Sequence, residues 1–237
     1  MEAQATIHAK RTRIMYYVLG FIVIGLGVNI MNASNLGVGA WDTVTINLRS
    51  FMNIVVGASW VTIGMMSFVV SILVMTMVIL YRKDTRYLFM LIPIGLVFLS
   101  IDFWNLVIFK DRIAGVGFWT TSVMIGSATL WQYIFFIIGS FILPLGLTLV
   151  VKSAFPAFVF DEWMLMFMDI FHTRKITFVR LGIELLGLLI GTLFGYLTFF
   201  NTAGHLGSVN YGSLLFTIFF TSIMGLWFHL LKVQKHE

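Results

Sequence analysis

The segment GFIVIGLGVNIMNASNLGVGAWD, residues 20–42, decides how the whole chain is read. It begins as an uncharged apolar run, breaks at Asn32, Ser34, Asn35, Gly37 and Gly39, and resumes with Trp41, Asp42 and an apolar stretch only 13 residues long, 40–52. A shift of 119 residues lays it without gaps on residues 139–161, GSFILPLGLTLVVKSAFPAFVFD. Gly20 meets Gly139, Leu26 meets Leu145, Gly27 meets Gly146, Ser34 meets Ser153 and Asp42 meets Asp161, while Gly37 at the first turn meets Pro156 at the second. Working outward, each half reads as one span, a turn, a short helix and two more spans. Three crossings per half is odd, so the halves face oppositely in the bilayer, as inverted repeats do.

Composition supports the reading. Of 237 residues 59% are hydrophobic and 11% charged, and the mean hydropathy is +0.98, too apolar for an ordinary soluble domain. A helix needs about 20 apolar residues to cross the hydrocarbon. Six stretches qualify, at 14–35, 58–81, 87–109, 130–151, 177–200 and 211–231. Residues 40–52 and 158–171 are too short to span and are expected to be re-entrant or interfacial. The fold class is therefore all-α: a polytopic membrane protein with six transmembrane helices in one integral membrane domain, repeat 1 at 14–109, a linker at 110–129 and repeat 2 at 130–231.

The charge pattern orients it. With the N-terminus inside, twelve of the fifteen basic residues fall on the cytoplasmic side, Arg180 among them, and Arg49, Lys110 and Arg112 fall outside. Both termini are expected in the cytoplasm. The same bias explains the net charge of +5, with the lipid bilayer rather than nucleic acid as the basic residues' partner. Lys10, Arg11 and Arg13 before an apolar run resemble a signal peptide, but the run belongs to the repeat and is read as retained.

The motif Asn35-Leu36-Gly37-Val38-Gly39-Ala40-Trp41-Asp42 resembles the YitT/YczE family of bacterial membrane proteins, with a small-residue turn leading into an aromatic-Asp pair and a related turn in the second half. The resemblance covers about 14–231. It implies a multi-spanning protein of the bacterial cytoplasmic membrane and lends some support to transport. Ala40 stands where such turns often carry Pro, and the second turn, Phe155 to Asp161, is bulkier than the family's form.

Zero cysteines exclude disulfides, thiolate metal sites and cysteine nucleophiles, and five scattered histidines form no ligand cluster, so neither metal nor cofactor is expected. Chemistry must rest on acids at bilayer depth, where a carboxylate is costly unless paired or wet. Asp42 and Asp161 open the short helices, either as acids favoured by the helix N-terminus or as a polar site between the halves. For Asp161 the capping reading is the stronger. Asp102 either faces a cavity or reaches Lys110 or Arg112 near the interface. Glu184 follows Arg180 by four residues and reads as an intrahelical pair near the inner membrane face in preference to a substrate-binding acid. The expected site comprises Asn32, Ser34, Asn35, Gly37, Gly39, Trp41, Asp42, Thr45, Asp102, Ser153, Pro156 and Asp161. Gly187, Gly191 and Gly195 recur on one face, which lets another helix approach.

These residues point to a transporter-like or channel-like protein for an unidentified small solute, with a homo-oligomer as its candidate assembly. The alternative is a non-transporting membrane partner protein. An intramembrane enzyme is disfavoured, because no metal-ligand set or nucleophile-base arrangement appears.

Overall fold

The computed structural model describes residues 2–109, 124–126, 128–156, 158–173, 175–200 and 203–232. The expected linker lies mostly outside them, as do Lys110 and Arg112. The described chain is all-helical apart from a two-stranded ladder, β1 (Met124–Ile125) with β2 (Ala128–Thr129). In order, the helices are α1 (Glu2–Ser34), α2 (Ala40–Ile54), α3 (Ile63–Arg82), α4 (Thr85–Ile108), α5 (Leu130–Lys152), α6 (Val159–Ile170), α7 (Ile176–Phe200) and α8 (Tyr211–Leu230).

Six of these helices are long and apolar enough to cross a membrane, and α2 and α6 are the two short ones. The large side chains left on the outside are apolar, with Leu80 at 71%, Phe178 at 74% and Leu189 at 69% exposure. A soluble protein does not present so greasy a surface; a multi-pass membrane protein must. The expected spans agree to within a few residues. The largest shifts are at α1, which runs back to Glu2, and at α3, which begins at Ile63 because residues 55–62 form a turn that Thr62 caps through the Met65 N–H.

Glycine and antiparallel packing make the central seam. α1 and α5 lie side by side along their length. A side chain on Gly20 would collide with Val150 and the backbone of Gly146, and one on Gly27 with Leu143. On the other helix, Gly139 abuts Met31 and the Gly27 carbonyl, and Gly146 abuts Gly20 and Ile24. The contacts Gly20 to Gly146 and Gly27 to Gly139 are exchanged by the 119-residue shift, so the seam itself is two-fold. Lipid supplies no hydrophobic drive between helices, and close backbone approach supplies dispersion instead.

The turns repeat as well. Ser34 Oγ donates to the Met31 carbonyl at 2.6 Å and accepts from Leu36 N–H at 3.2 Å. Ser153 Oγ donates to the Val150 carbonyl at 2.6 Å and accepts from Phe155 N–H at 3.2 Å. The next residues, Asn35 (φ 55) and Ala154 (φ 53), are both left-handed. Each short helix then crosses over to the other half: α2 packs on α7 and α6 on α3. The repeat inferred from five coincident residues is thus a repeat of backbone conformation and of packing.

Candidate functional site

In both halves the turn delivers an aromatic residue and an aspartate to the same helical positions. With Gly39 as N-cap, Trp41 and Asp42 are the second and third residues of α2; with Phe158 as N-cap, Phe160 and Asp161 are the second and third of α6. The two aromatic rings meet, Trp41 against Phe160 at 4.8 Å between centroids. Beside this contact lies a cavity of about 120 Å³, lined by Asp42 and Thr45 from α2, Ser67 and Ser71 from α3, Asp161 from α6, Arg180 and Glu184 from α7, and Phe216, Thr217 and Phe220 from α8. That is room for a few waters or one small solute.

Its electrostatics are unbalanced. The charged residues lining it are three carboxylates and one guanidinium. Arg180 is the cation whose field reaches Asp161 and Glu184, and the charge that bears on Asp42 is another carboxylate, Glu184. The salt bridges among the described residues lie elsewhere, Arg82 with Asp169 at 2.5 Å and Arg86 with Asp84 at 4.0 Å. The Arg180 guanidinium instead rests over the Phe220 ring, 4.5 Å from its centroid.

Asp42 sits in the first turn of α2, where the helix N-terminus favours an acid. α2 has no side-chain cap, and the Asp42 carboxylate folds back over Gly39, where a β-carbon would lie 2.6 Å from Oδ2. Asp161 likewise lies in the first turn of α6, which also has no side-chain cap; both residues are helix-start acids and cavity acids. The Thr217 hydroxyl oxygen is buried with no hydrogen-bond partner among the described residues and belongs to the same cavity wall.

A second hollow, of about 360 Å³, shares Arg180, Glu184, Thr217 and Phe220 with the first and continues between α7 and α8 past Thr177, Thr221 and Ser222. It lies toward the start of α7 and the end of α8.

The structure brings together Gly39, Trp41, Asp42, Thr45 and Asp161 of the expected residues. Asn32, Ser34, Asn35, Gly37, Ser153 and Pro156 build the turns and do not line the cavity. Gly37 has a φ of 130°, and a β-carbon there would collide with the backbone and hydroxyl of Ser213, so the first turn has no room for a side chain. Asp102 is also elsewhere. Its carboxylate accepts from the Thr62 hydroxyl at 2.6 Å and from Gly64 N–H at 2.9 Å, which makes it an anchor for the start of α3. Glu184 and Arg180, read as an intrahelical pair, form no ion pair and face the cavity instead. Their signal in the sequence was an acid and a base on one face of an otherwise apolar span.

The model of a family described as a family of unknown function (DUF6198) matches residues 11–229, and the chain belongs to that family. The match carries no YitT/YczE name. Comparison with curated proteins and with solved structures gives no match.

Proposed function

We propose that this member of the DUF6198 family moves a small solute across a bacterial cytoplasmic membrane, through the cavity between its two halves, with both termini in the cytoplasm. The observation that carries the reading is that Asp42 and Asp161, equivalent residues of the two repeats, converge on one cavity. A membrane protein that only held a partner would gain nothing from burying three acids around a single arginine, because each carboxylate at that depth is destabilising unless a ligand, water or proton offsets it. Paired short helices that start at a polar site between inverted halves are how several transporter folds hold their substrates. The groove between α7 and α8 is the route from the cavity to the cytoplasmic face, and the bundle around α1 and α5 closes the other side. The YitT/YczE-like turn is consistent with this reading.

The chain has no native cysteine, so single cysteines report access directly. Cysteine at Ser71 or Thr45 is expected to react with a small water-soluble thiol reagent in inside-out vesicles, while one at the buried Met31 on the α1–α5 seam stays protected. Unreactive Ser71 and Thr45 positions from both sides of the membrane would leave a dry site and favour the partner-protein reading.

A further inference from the structure

We propose that the solute is a small organic cation, an amine, ammonium or guanidinium compound, held against the Asp42 carboxylate and the aromatic wall of the cavity. The inference rests on the solute-moving reading and names its substrate class. Four observations carry it. The first is the charge count: Asp42, Asp161 and Glu184 face one cavity with Arg180 as their sole basic companion among the lining residues. The second is the distribution of partners. The field of Arg180 reaches Asp161 and Glu184, whereas the Asp42 carboxylate makes no hydrogen bond or ion pair with the described residues and the charge that bears on it is Glu184. A positive ligand is what that carboxylate lacks.

The third observation is the wall. Trp41, Phe160, Phe216 and Phe220 line the cavity, and the Phe216 ring and the Asp42 carboxylate converge on Gly39, with Phe216 3.5 Å and Asp42 Oδ2 2.6 Å from where its β-carbon would be. Aromatic faces attract ammonium and guanidinium groups and suit an alkali ion's demand for several oxygens poorly. No group of three acidic or histidine side chains among the described residues is close enough to hold a metal ion, so the acids are spread as they would be around a polyatomic cation. The resident Arg180 already shows the fit, since its guanidinium occupies the same wall, stacked on Phe220 at 4.5 Å. The fourth is the buried Thr217 hydroxyl without a partner among the described residues, an unused acceptor for an N–H donor.

The test uses the purified full chain in detergent and follows thermal unfolding with added methylguanidinium, butylammonium or tetramethylammonium chloride. Methylurea, sodium and potassium chloride, and sodium acetate serve as neutral, inorganic and anionic probes. At least one organic cation is expected to raise the melting temperature saturably while methylurea and the inorganic salts do not. Asp42→Asn should weaken that ligand by more than about tenfold, the loss of one charge-assisted hydrogen bond, while Asp84→Asn at the surface leaves it unchanged. If Asp42→Asn does not fold, the discrimination between methylguanidinium and its neutral isostere decides alone.

Stabilisation by methylurea as strong as by methylguanidinium, by sodium or potassium alone, or by acetate would overturn the cation assignment and leave the solute-moving reading in place. So would binding of an organic cation that Asp42→Asn does not weaken. Absence of binding by every probe also overturns it, and the cysteine-access experiment then judges the broader reading separately.

Discussion

The two halves share a frame but not an interior. Ser34 and Ser153, Asn35 and Ala154, and Asp42 and Asp161 occupy matching places with matching geometry. The short helices are then fixed by different means. On α2, the fully buried Asn47 donates to the carbonyls of Gly191 at 2.8 Å and Leu206 at 3.1 Å and accepts from the N–H and hydroxyl of Ser208 at 2.9 and 3.0 Å. Its counterpart on α6, by the same shift of 119, is Met166, packed among Val74, Val78 and Trp163 in an apolar cluster. The last hairpins differ too. α3 lies against α4 with Asp102 anchoring its start, whereas α7 and α8 leave a polar groove between them. The duplicated backbone supplies symmetry, and the departures from it supply a fixed side and an open side.

The largest effect expected is at the polar bolt. Asn47→Leu would remove four hydrogen bonds, at about 0.5–1.5 kcal/mol each, and should cost at least about 3 kcal/mol or abolish folding in detergent. Met166→Ala, the matching change in the other half, removes apolar contacts and leaves a cavity, at about 2–3 kcal/mol. Equal melting temperatures for the two variants would break the contrast between a hydrogen-bonded and a greasy attachment.

Next come the glycines of the seam. Gly27→Leu and Gly146→Leu replace symmetry-related residues that each touch the opposite helix. Both should lower thermal stability by similar amounts, about 1–3 kcal/mol as overpacking commonly does. A large loss in one and none in the other would show that the two-fold character stops at the turns.

Smaller, and diagnostic of role, is the separation of Asp102 from Asp42. Asp102→Ala removes the two bonds to Thr62 and Gly64 and is expected to cost about 1–2 kcal/mol, the range for losing a helix-start acceptor, with ligand affinity unchanged. Asp42→Asn should do the reverse, holding or raising stability because it relieves a buried charge while weakening the ligand. Loss of binding in Asp102→Ala at full stability would return that residue to the site.

Much of this was legible in one sequence because the bilayer simplifies the problem. Span length, the short stretches at 40–52 and 158–171 and the matched Ser and Asp residues follow from hydrophobic thickness and from duplication, both of which act along the chain. What was not legible depends on convergence across it. Arg180 and Glu184 are four apart on one helix, so local spacing favours a mutual pair; only the packing of α2 and α6 around α7 turns them toward Asp42 and Asp161. Asp102 misled for the same reason, since its partners lie 38 and 40 residues back, and Gly57, which marks the turn before α3, does not say what that turn packs against. Asn32 and Asn35 suggested a binding cluster because polar side chains in an apolar run stand out, yet a left-handed turn at Asn35 uses such residues for conformation.

The smallest effect tests whether the glycines of α7 act by position or merely by number. Gly187, Gly191 and Gly195 face Trp41 and the Ala40 backbone, Thr43, and the Leu206 carbonyl, whereas Gly182 on the same helix meets nothing within 4 Å. A methyl group at Gly182 therefore enters open space, and alanine is the better helix former by about 0.8–1.0 kcal/mol. Gly182→Ala should raise the stability of the protein by up to that amount. Gly191→Ala gains the same propensity but drives its methyl into Thr43, so the collision outweighs the gain and the variant should be less stable than the parent. Thermal unfolding of the two in the same detergent gives the sign directly. If both are stabilised, α2 can move away from α7 at little cost, and the rigid attachment ascribed to the Asn47 side of the molecule is wrong.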